Sequence, residues 1–392
     1  MNVTVVKAFK KCIIDAINKI NGSIKRRSDA RLNFKDIVYY LTYINGTGES
    51  YDMANSQLKI RNILHVSKNT LIKRKNETSY RHFLTLNNML LDHIYINSNK
   101  RIIAIDGTHI DLLKSLNNDG FKISTNGNYC TALISTLFDV ERKIPINYGL
   151  YETKNEREAL IDQLKYFKAG DTLLMDRGYY SKELLFILHN HGIKVVFRLK
   201  KDLTPIQNNP RKTDFVEDFT HNNQTIPLRI IKYSIDNNDY YLGTTIYNKD
   251  VDYFADLYWK RWGIEIHFRH SKYNLSLKRL QSKTNNGIRQ DILIHNFIFI
   301  ISSYFKYLLE MDMDEKYRLS TKNILKVTIN SLLCLFLYKT STKKTVNEIL
   351  RIMDILKQSL VERKKNREYP RIAVRPKSKW GQWGNKFKMA YT

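Results

Sequence analysis

Three acidic side chains, those of Asp106, Asp176 and Glu265, are the residues of this sequence best placed for joint chemistry. Asp106 follows the apolar run 102–105, and Asp176 follows the apolar run 172–175. We therefore expect each aspartate to be the last residue of a buried strand, where a rigid support presents its carboxylate at the edge of a sheet. Carboxylates that meet at such an edge suit divalent cations and a phosphodiester.

Glu265 lies in segment 253–272, whose composition predicts one continuous helix. Tyr258, Arg261, Glu265 and Lys272 are spaced three, four and seven residues apart. On a helix with about 3.6 residues per turn, this spacing puts all four side chains on one face. A carboxylate flanked by Arg, Lys and Tyr, directed at two aspartates, is typical of a site for DNA and its metal ions.

Each of these residues also has a simpler structural explanation. An Asp before a Gly is often only a turn residue, and an Arg–Glu pair four residues apart is commonly a surface ion pair. Trp259 and Trp262 lie beside the helical face and predict that it is partly buried, which favours the functional interpretation. Four further polar residues are expected to lie in loops, in solvent or in packing contacts without a catalytic role: His109, Asp111, His267 and His270.

The charge of the chain predicts a polyanionic partner. The 392 residues include 65 Lys and Arg against 38 Asp and Glu, which gives a formal net charge of +27. Such an excess favours fast, salt-dependent association with nucleic acid. A hydrophobic content of 43% with 15 Gly and six Pro predicts a large core rather than long disordered tracts.

The cysteines and the apolar segments indicate a reducing compartment and no membrane partner. The three cysteines are isolated from one another, so neither a disulfide framework nor a CxxC metal site is expected. Residues 1–20 lack the apolar centre of a signal peptide. The apolar run 292–305 is interrupted by polar residues and is expected to be a buried helix, too short to span a bilayer.

Apolar periodicity divides the chain into five regions and predicts an α/β fold. Residues 1–98 are helical and basic, and residues 99–200 begin with strands and then alternate helices with strands. Residues 201–250 are polar and β-rich, which predicts an insertion built from hairpins. Residues 251–310 are helical and contain Glu265, and residues 311–392 form further helices and a basic tail.

The N-terminal region has the outline of a DNA-binding helix-turn-helix. Helices are expected over residues 8–20, 34–44 and 56–65. Ser67 is a plausible N-cap for a short basic helix, 67–75, whose Lys73 and Arg74 would contact DNA. A helical bundle with a basic solvent face explains the same pattern.

The last thirty residues, 363–392, hold ten Lys or Arg and one acidic residue. With Trp380 and Trp383 among them, this tail suits binding to the DNA backbone and stacking on bases or sugars. The alternative is a solvated tail whose two Trp side chains pack on the body of the protein.

Three motifs together resemble those of the DDE transposases of bacterial insertion sequences, over about residues 100–300. The third motif is similar to the Y-R-E-K signature of the insertion-sequence family four branch. The motifs, in chain order, are Asp106-Gly107-Thr108, Asp176-Arg177-Gly178-Tyr179 and Tyr258-x2-Arg261-x3-Glu265-x6-Lys272.

The resemblance implies a ribonuclease-H-like catalytic core with a β-rich insertion, flanked by an N-terminal helical DNA-binding region and C-terminal helices. It implies two Mg²⁺ ions, which Mn²⁺ can replace, held by the three carboxylates. Three carboxylates can hold two cations about 3.5–4 Å apart, one at the attacking oxygen and one at the leaving oxygen. The residues that would contact DNA at this centre are Tyr258, Arg261, Lys272 and Arg177.

The resemblance further implies a homodimer on double-stranded DNA, in the cytoplasm, or in a nucleus or viral replication site if the host is eukaryotic. Water would first release a 3′-hydroxyl at the element end, and this hydroxyl would attack the opposite strand, forming a hairpin, or the target. In that branch an aromatic residue of the insertion stacks on a flipped base. All four Trp lie outside residues 201–250. Three other aromatic residues are candidates: Tyr240, Tyr241 and Phe215.

Two other functions remain open. A two-metal nuclease of the same fold would have the same three acids, although it would not need a large end-binding region. A domesticated, catalytically silent DNA-binding protein would be free to lose an acid, and all three are present.

Overall fold

The computed structural model of the protein describes residues 3–362 except 25–31, 64, 98–99, 126, 236–237, 278–279, 312 and 340–342. The basic tail 363–392, with Trp380 and Trp383, lies outside the described residues. The first five helices, in chain order, are α1 Val3–Ser23, α2 Phe34–Thr47, α3 Tyr51–Ile60, α4 Lys68–Glu77 and α5 Tyr80–Ile94.

Side-chain caps set the boundaries of the short N-terminal helices. Ser67 caps α4 as predicted, because its hydroxyl accepts a hydrogen bond from the Thr70 amide at 3.1 Å. The helix predicted over 56–65 is wrong at both ends. Ser50 caps α3 earlier, and the chain leaves the helix at Asn62, whose φ of 55° lies in the left-handed region.

Nine strands of the described chain form one mixed sheet in the order β2-β3-β1-β5-β6-β9-β8-β7. β4 also pairs with β3, on the side of β3 away from β1. β1 is parallel to β5, and β5 is parallel to β6. The strands are β1 Ile102–Leu112, β2 Lys122–Ile123, β3 Cys130–Asp139, β4 Ile144–Tyr151, β5 Thr172–Met175, β6 Lys194–Leu199, β7 Asp214–His221, β8 Gln224–Ile235 and β9 Asn238–Thr244. The helices between them are α6 Glu156–Asp162, α7 Lys182–Asn190 and α8 Thr204–Asn208.

The β-rich segment 201–250 continues this sheet. β9 pairs antiparallel with β6, and β8 and β7 follow as a meander toward the edge. The aromatic side chains of this segment therefore stand on the same sheet as Asp106.

The prediction that Asp106 is the last residue of its strand is wrong. Asp106 lies near the middle of β1. Beyond Gly107 the strand stays paired with β3, and its side chains alternate between buried and exposed. His109 and Asp111 occupy the exposed positions of this strand, so the prediction that they lie in a loop is also wrong.

The continuous helix predicted over 253–272 is two helices, α9 Val251–Trp259 and α10 Trp262–Asn274. At the junction the Arg261 amide bonds to the Tyr258 carbonyl, and the Ile264 amide bonds to the Arg261 carbonyl, both three residues back. These bonds tighten the chain into a 3₁₀-type turn at Arg261.

The C-terminal helices pack around one long buried helix, α11, which matches the helix predicted at 292–305. The remaining elements are α11 Asn285–Glu310, β10 Tyr317–Leu319, α12 Thr321–Val327, a π-helical turn Thr328–Leu332, α13 Leu333–Tyr338, α14 Lys343–Lys357 and β11 Leu360–Glu362. At 26 residues α11 is long and apolar enough to cross a membrane, so the prediction that it is too short was wrong. However, 83% of its most apolar window is buried inside the protein, as in a core helix.

One hydrophobic core joins the N-terminal helices, α11 and one face of the sheet. A second core joins the opposite face of the sheet to α9 and α10. Ala104 of β1 contributes to this second core, and Asp106 points to the same face two residues later. The second core therefore fixes the position of the Glu265 helix relative to Asp106.

Candidate active site

The register of the parallel strands brings Asp106 and Asp176 together. Ala104 of β1 pairs with Leu174 of β5, so two residues further along each chain Asp106 comes opposite Asp176. Neighbouring strands lie about 4.8 Å apart, and paired residues of parallel strands point to the same face. Asp176 directly follows β5, where its carboxylate accepts a hydrogen bond from the Arg177 amide at 2.7 Å.

A buried ion pair fixes the other end of the same two strands. The Arg101 guanidinium contacts the Asp171 carboxylate at 2.5 Å, and the Arg101 amide donates to this carboxylate at 3.0 Å. Both residues are buried, so their charges are satisfied mainly by each other. This pair helps to set the register on which the two aspartates depend.

Arg261 joins the third acid to the first. Its Nη2 donates to Glu265 Oε1 at 2.9 Å, while its Nη1 lies 3.9 Å from Asp106 Oδ2. The Arg261 side chain is only 5% exposed, and its guanidinium lies 5.6 Å from the centre of the Tyr258 ring. The structure thus brings together Asp106, Asp176, Arg261, Glu265 and Tyr258.

Asp106 is partly buried among charged side chains of both signs. Burial is the main reason that its pKa is raised to about 6; the Gly107 amide and Arg261 oppose the rise, and Glu156 and Glu265 add to it. A carboxyl in this environment gains from a cation that compensates its charge.

Glu156 is a fourth acid at this site, and the sequence motifs do not include it. A Cβ on Gly107 would lie 2.5 Å from Glu156 Oε1, so the carboxylate occupies the space that the glycine leaves. The pKa of Glu156 is raised by burial and by Asp176, while His109 lowers it. The only sequence signal was the capping box Asn155–Glu158, which predicts a helix start but not its position.

The first turn of α6 is fixed to the loop that follows Asp176. The Arg157 guanidinium donates to the carbonyl oxygens of Gly178 and Tyr180 at 2.8–3.1 Å. Asn155 caps the same turn through the amides of Arg157 and Glu158. Glu156 is therefore held on a rigid support beside both aspartates.

Several buried polar atoms around the carboxylates lack a hydrogen-bond partner in the described chain: Tyr179 Oη, Tyr258 Oη and Arg261 Nε. Tyr179 is only 1% exposed. Burial, then Glu156, Asp106 and Asp176, raise its pKa well above the usual range. A buried donor without a partner is costly, so water or a polar ligand at the centre would satisfy these atoms.

The donors at the site suit a hard divalent cation. Oxygen ligands are what Mg²⁺ prefers, and it needs few protein carboxylates because water and phosphate complete its coordination. In the described part of the chain, no three His, Cys, Asp or Glu side chains are close enough to hold a metal ion. Arg261 lies between Asp106 and Glu265, so the carboxylates fit the cations in chemistry and charge, without forming a finished cage.

A basic, aromatic cleft of about 490 Å³ opens beside Asp176. The Arg198 guanidinium lies 4.9 Å from the Tyr240 ring centre, and Tyr240 stacks on Tyr233 with centroids 5.5 Å apart. Of the three candidate stacking residues, Tyr240 and Tyr241 line the cleft. Phe215 lies on β7, where its ring is in contact with Lys212. The lining residues are Arg177, Arg198, Leu199, Lys200, Lys201, Asp202, Asn238, Asp239, Tyr240 and Tyr241.

The other DNA-contact candidates lie further along α10 and on α4. Lys272 is in the last turn of α10, about two turns from Glu265. Lys73 is exposed on α4, and Arg74 lies 3.4 Å from Glu77 on the same helix. α4 is anchored through Lys75, whose Nζ lies 3.2 Å from the buried Asp291 carboxylate of α11.

Two expectations about the residues around Glu265 have different outcomes. The face with Glu265 is partly buried, as predicted, because Tyr258 and Arg261 are buried, but Trp259 does not contribute, since it is 67% exposed. His267 has a packing role, as expected. It hydrogen-bonds to the Tyr148 hydroxyl, and burial lowers its pKa to about 3, with a contribution from His270.

A comparison with protein-family models finds one match. The family model described as "Transposase DDE domain" matches residues 97–301, which is just over half of the chain and includes all three acids. No curated protein matches the sequence significantly.

Proposed function

Because the chain belongs to the transposase DDE domain family, we propose that it cuts the ends of a mobile element and joins them to target DNA. The mixed sheet β4-β3-β1-β5-β6 is the core of the ribonuclease-H-like fold that this family implies. Phosphodiester hydrolysis would be followed by transesterification at the same carboxylates.

One observation carries the proposal. Asp106, Asp176 and Glu265 are far apart in sequence, yet β1–β5 register and the Arg261 contacts bring them to one place. The raised pKa of Asp106 supports a site for a cation, because a cation would compensate the charge of this partly buried carboxylate.

Asp106, Asp176 and Glu265 would hold the divalent cations, Mg²⁺ or Mn²⁺. When bound, these cations activate the attacking oxygen and stabilise the leaving oxygen. Arg261, no longer needed to compensate Glu265, would turn its guanidinium to the DNA phosphate. The hydroxyls of Tyr179 and Tyr258 would donate hydrogen bonds to phosphate or water at the centre.

Glu156 is proposed as a positioning residue in this centre. Its carboxylate lies over Gly107, on the face of β1 opposite to the Asp106 side chain but close enough to raise the pKa of Asp106, on a turn that Arg157 fixes to the Asp176 loop. From there it would accept hydrogen bonds from ordered water and add to the negative charge that retains the cations.

The finer assignment is to the Y-R-E-K branch. The contact of Arg261 with Glu265 and Tyr258 supports it, because the three motif residues form one cluster. Tyr240, beside Arg198 in the basic cleft, is the proposed stacking residue for a flipped base in a hairpin step.

DNA recognition is assigned to basic surfaces outside the centre. Lys73 and Arg74 on α4 and the tail 363–392 would bind element ends, while Lys272 and Arg177 would hold phosphates near the cut. The contacts of Lys272 and Arg177 would position DNA without reading its sequence. We also propose that two copies act together on paired ends, as a dimer associated with DNA in the cytoplasm.

The test is cleavage of a duplex that carries the sequences flanking the gene, in Mg²⁺ or Mn²⁺. The variant is Asp176→Asn, and the matched control is Asp218→Asn, which makes the same change on an exposed position of edge strand β7. Removing even an indirect partner of a metal ligand costs about 10–100-fold, so we expect Asp176→Asn to lose more than about 100-fold in cleavage.

Three outcomes separate the alternatives. Cutting at the element boundary followed by strand joining, lost only in Asp176→Asn, supports the transposase. Cutting without boundary preference or joining would identify a nuclease of the same fold. Tight binding of the flanks without cutting by any variant would identify a silent DNA-binding protein.

A further inference from the structure

A second cationic site lies on the other flank of the Glu265 helix. A cavity of about 450 Å³ opens between α10, α11 and the segment from β10 to the start of α12. Five Lys or Arg and two His are among its described lining residues, and no acidic side chain is. They are Lys143, Arg269, Lys306, Arg318, Lys322, His267 and His270.

The positive charge of this cavity is concentrated rather than scattered. Arg269, Arg318 and Lys322 are exposed at the rim, whereas Lys306 is buried and donates to Thr321 Oγ1 at 2.8 Å. Burial lowers the pKa of the half-buried His270, and Lys306, Arg269 and Arg318 lower it further. The three cations therefore act on one small volume.

One acid pairs with a lining cation from outside the cavity. Glu310 lies 3.7 Å from Lys306 but is not part of the described lining. A concave surface with an excess of cations favours an anion with several oxygens, such as a phosphate.

The cavity lies within reach of DNA held at the proposed centre. Arg269 is one turn after Glu265 on α10, and Ile266 and His270 line the cavity on the adjoining flank. Five residues of helix rise about 7.5 Å, and a helix is about 10–12 Å wide. A backbone leaving Glu265 would cover this distance with about three or four nucleotides at 3.4 Å each.

We propose that this cavity binds a backbone phosphate of the DNA strand that crosses α10, about three or four nucleotides from the cleaved bond. This inference rests on the proposed function, because it takes the cut to occur at Glu265. Arg269, one turn after Glu265 on the same helix, lies at the cavity and links it to that centre.

The test compares two double variants that each remove two exposed cations. Arg318→Gln with Lys322→Gln changes the rim of the cavity. Lys168→Gln with Lys194→Gln is the matched control, at the opposite end of β5 and β6 from Asp176. Affinity for a flank duplex is measured over a range of salt concentrations in Ca²⁺, which suppresses cutting.

Each lost phosphate contact lowers the slope of log K against log salt by about 0.9. We expect the cavity variant to lose about 0.9 of slope, for one phosphate, and the control to keep the wild-type slope. Neutral methylphosphonates, placed singly along the strand, should weaken wild-type binding three or four nucleotides from the cut and leave the cavity variant unaffected at that position.

Equal slopes for the two double variants would overturn the proposal. So would loss of self-association in the cavity variant without DNA, at an unchanged slope, since the cavity would then belong to a protein contact. The binding test does not depend on cutting. A lower slope for the cavity variant, together with no cutting by the wild type, would support the cavity while refuting the proposed catalysis.

Discussion

Replacing Asp106 with Asn should stabilise the metal-free protein at neutral pH. The partly buried carboxylate has its pKa raised from 3.8 to about 6, so its charged form is disfavoured in the folded state. An asparagine keeps an oxygen that can accept the Gly107 amide hydrogen bond, which Asp106 receives at 2.8 Å. The change therefore removes the charge with little loss of local contacts.

The size and sign of the effect follow from the two pKa values. The rise from 3.8 to about 6 corresponds to about 3 kcal/mol of destabilisation when the carboxylate is charged. Below the unfolded pKa both states are protonated, and Asp106 costs nothing. Between pH about 4 and about 6 the native state binds more protons, so wild-type stability falls as pH rises, and it levels off above the folded pKa.

The assay is urea unfolding of both proteins in EDTA from pH about 4 to about 8, analysed as the difference between them. We expect this difference to grow from near zero to about 3 kcal/mol in favour of Asp106→Asn. Saturating Mg²⁺ should stabilise the wild type and reverse the order, because ligand binds only the native state.

Asp218→Asn, which makes the same change at an exposed position, provides the control. A constant difference for Asp106→Asn across the pH range, or a less stable variant at neutral pH, would refute the electrostatic reasoning. A variant that Mg²⁺ stabilises as much as the wild type would refute the metal role of Asp106.

Two further predictions concern packing around the site and the anchor of α4. Gly107→Ala places a Cβ 2.5 Å from Glu156 Oε1 and 2.9 Å from Leu133 Cδ1, and should cost about 1–3 kcal/mol in urea unfolding. In a Glu156→Ala background the cost should fall by at least about 0.5 kcal/mol; an equal cost in both would contradict the contact. Lys75→Met leaves the Asp291 carboxylate buried and should cost about 3–5 kcal/mol, whereas adding Asp291→Leu should recover much of it; a double variant as unstable as the single one would contradict this.

The sequence carried the strand positions of the two aspartates because both apolar runs are short, bounded and rich in branched residues. It also contained the continuation of β1. Thr108, Ile110 and Leu112 alternate with polar residues, a period-two pattern that extends the strand past the motif. The prediction that the strand ends at Asp106 was wrong because it took Gly107 as a turn residue and overlooked this alternation.

The relations between segments were not accessible from local patterns. Glu156 lies over Gly107 where Arg157 ties α6 to the loop after Asp176, and the local sequence does not show which carbonyl groups Arg157 will bond. The turn at Arg261 likewise depends on how α9 and α10 pack on the sheet. Helical spacing grouped Arg261 with Glu265 correctly, since the backbone stays right-handed through the turn.

The buried Lys75–Asp291 pair has a consequence for where DNA would be cut. It fixes α4 to α11, and α11 packs on the same core as the catalytic sheet, so no flexible tether separates the proposed recognition helix from the carboxylates. The protein would then cut DNA at one fixed distance from the sequence that α4 contacts. Inserting about five base pairs, half a helical turn, would put the scissile bond on the far side of the duplex.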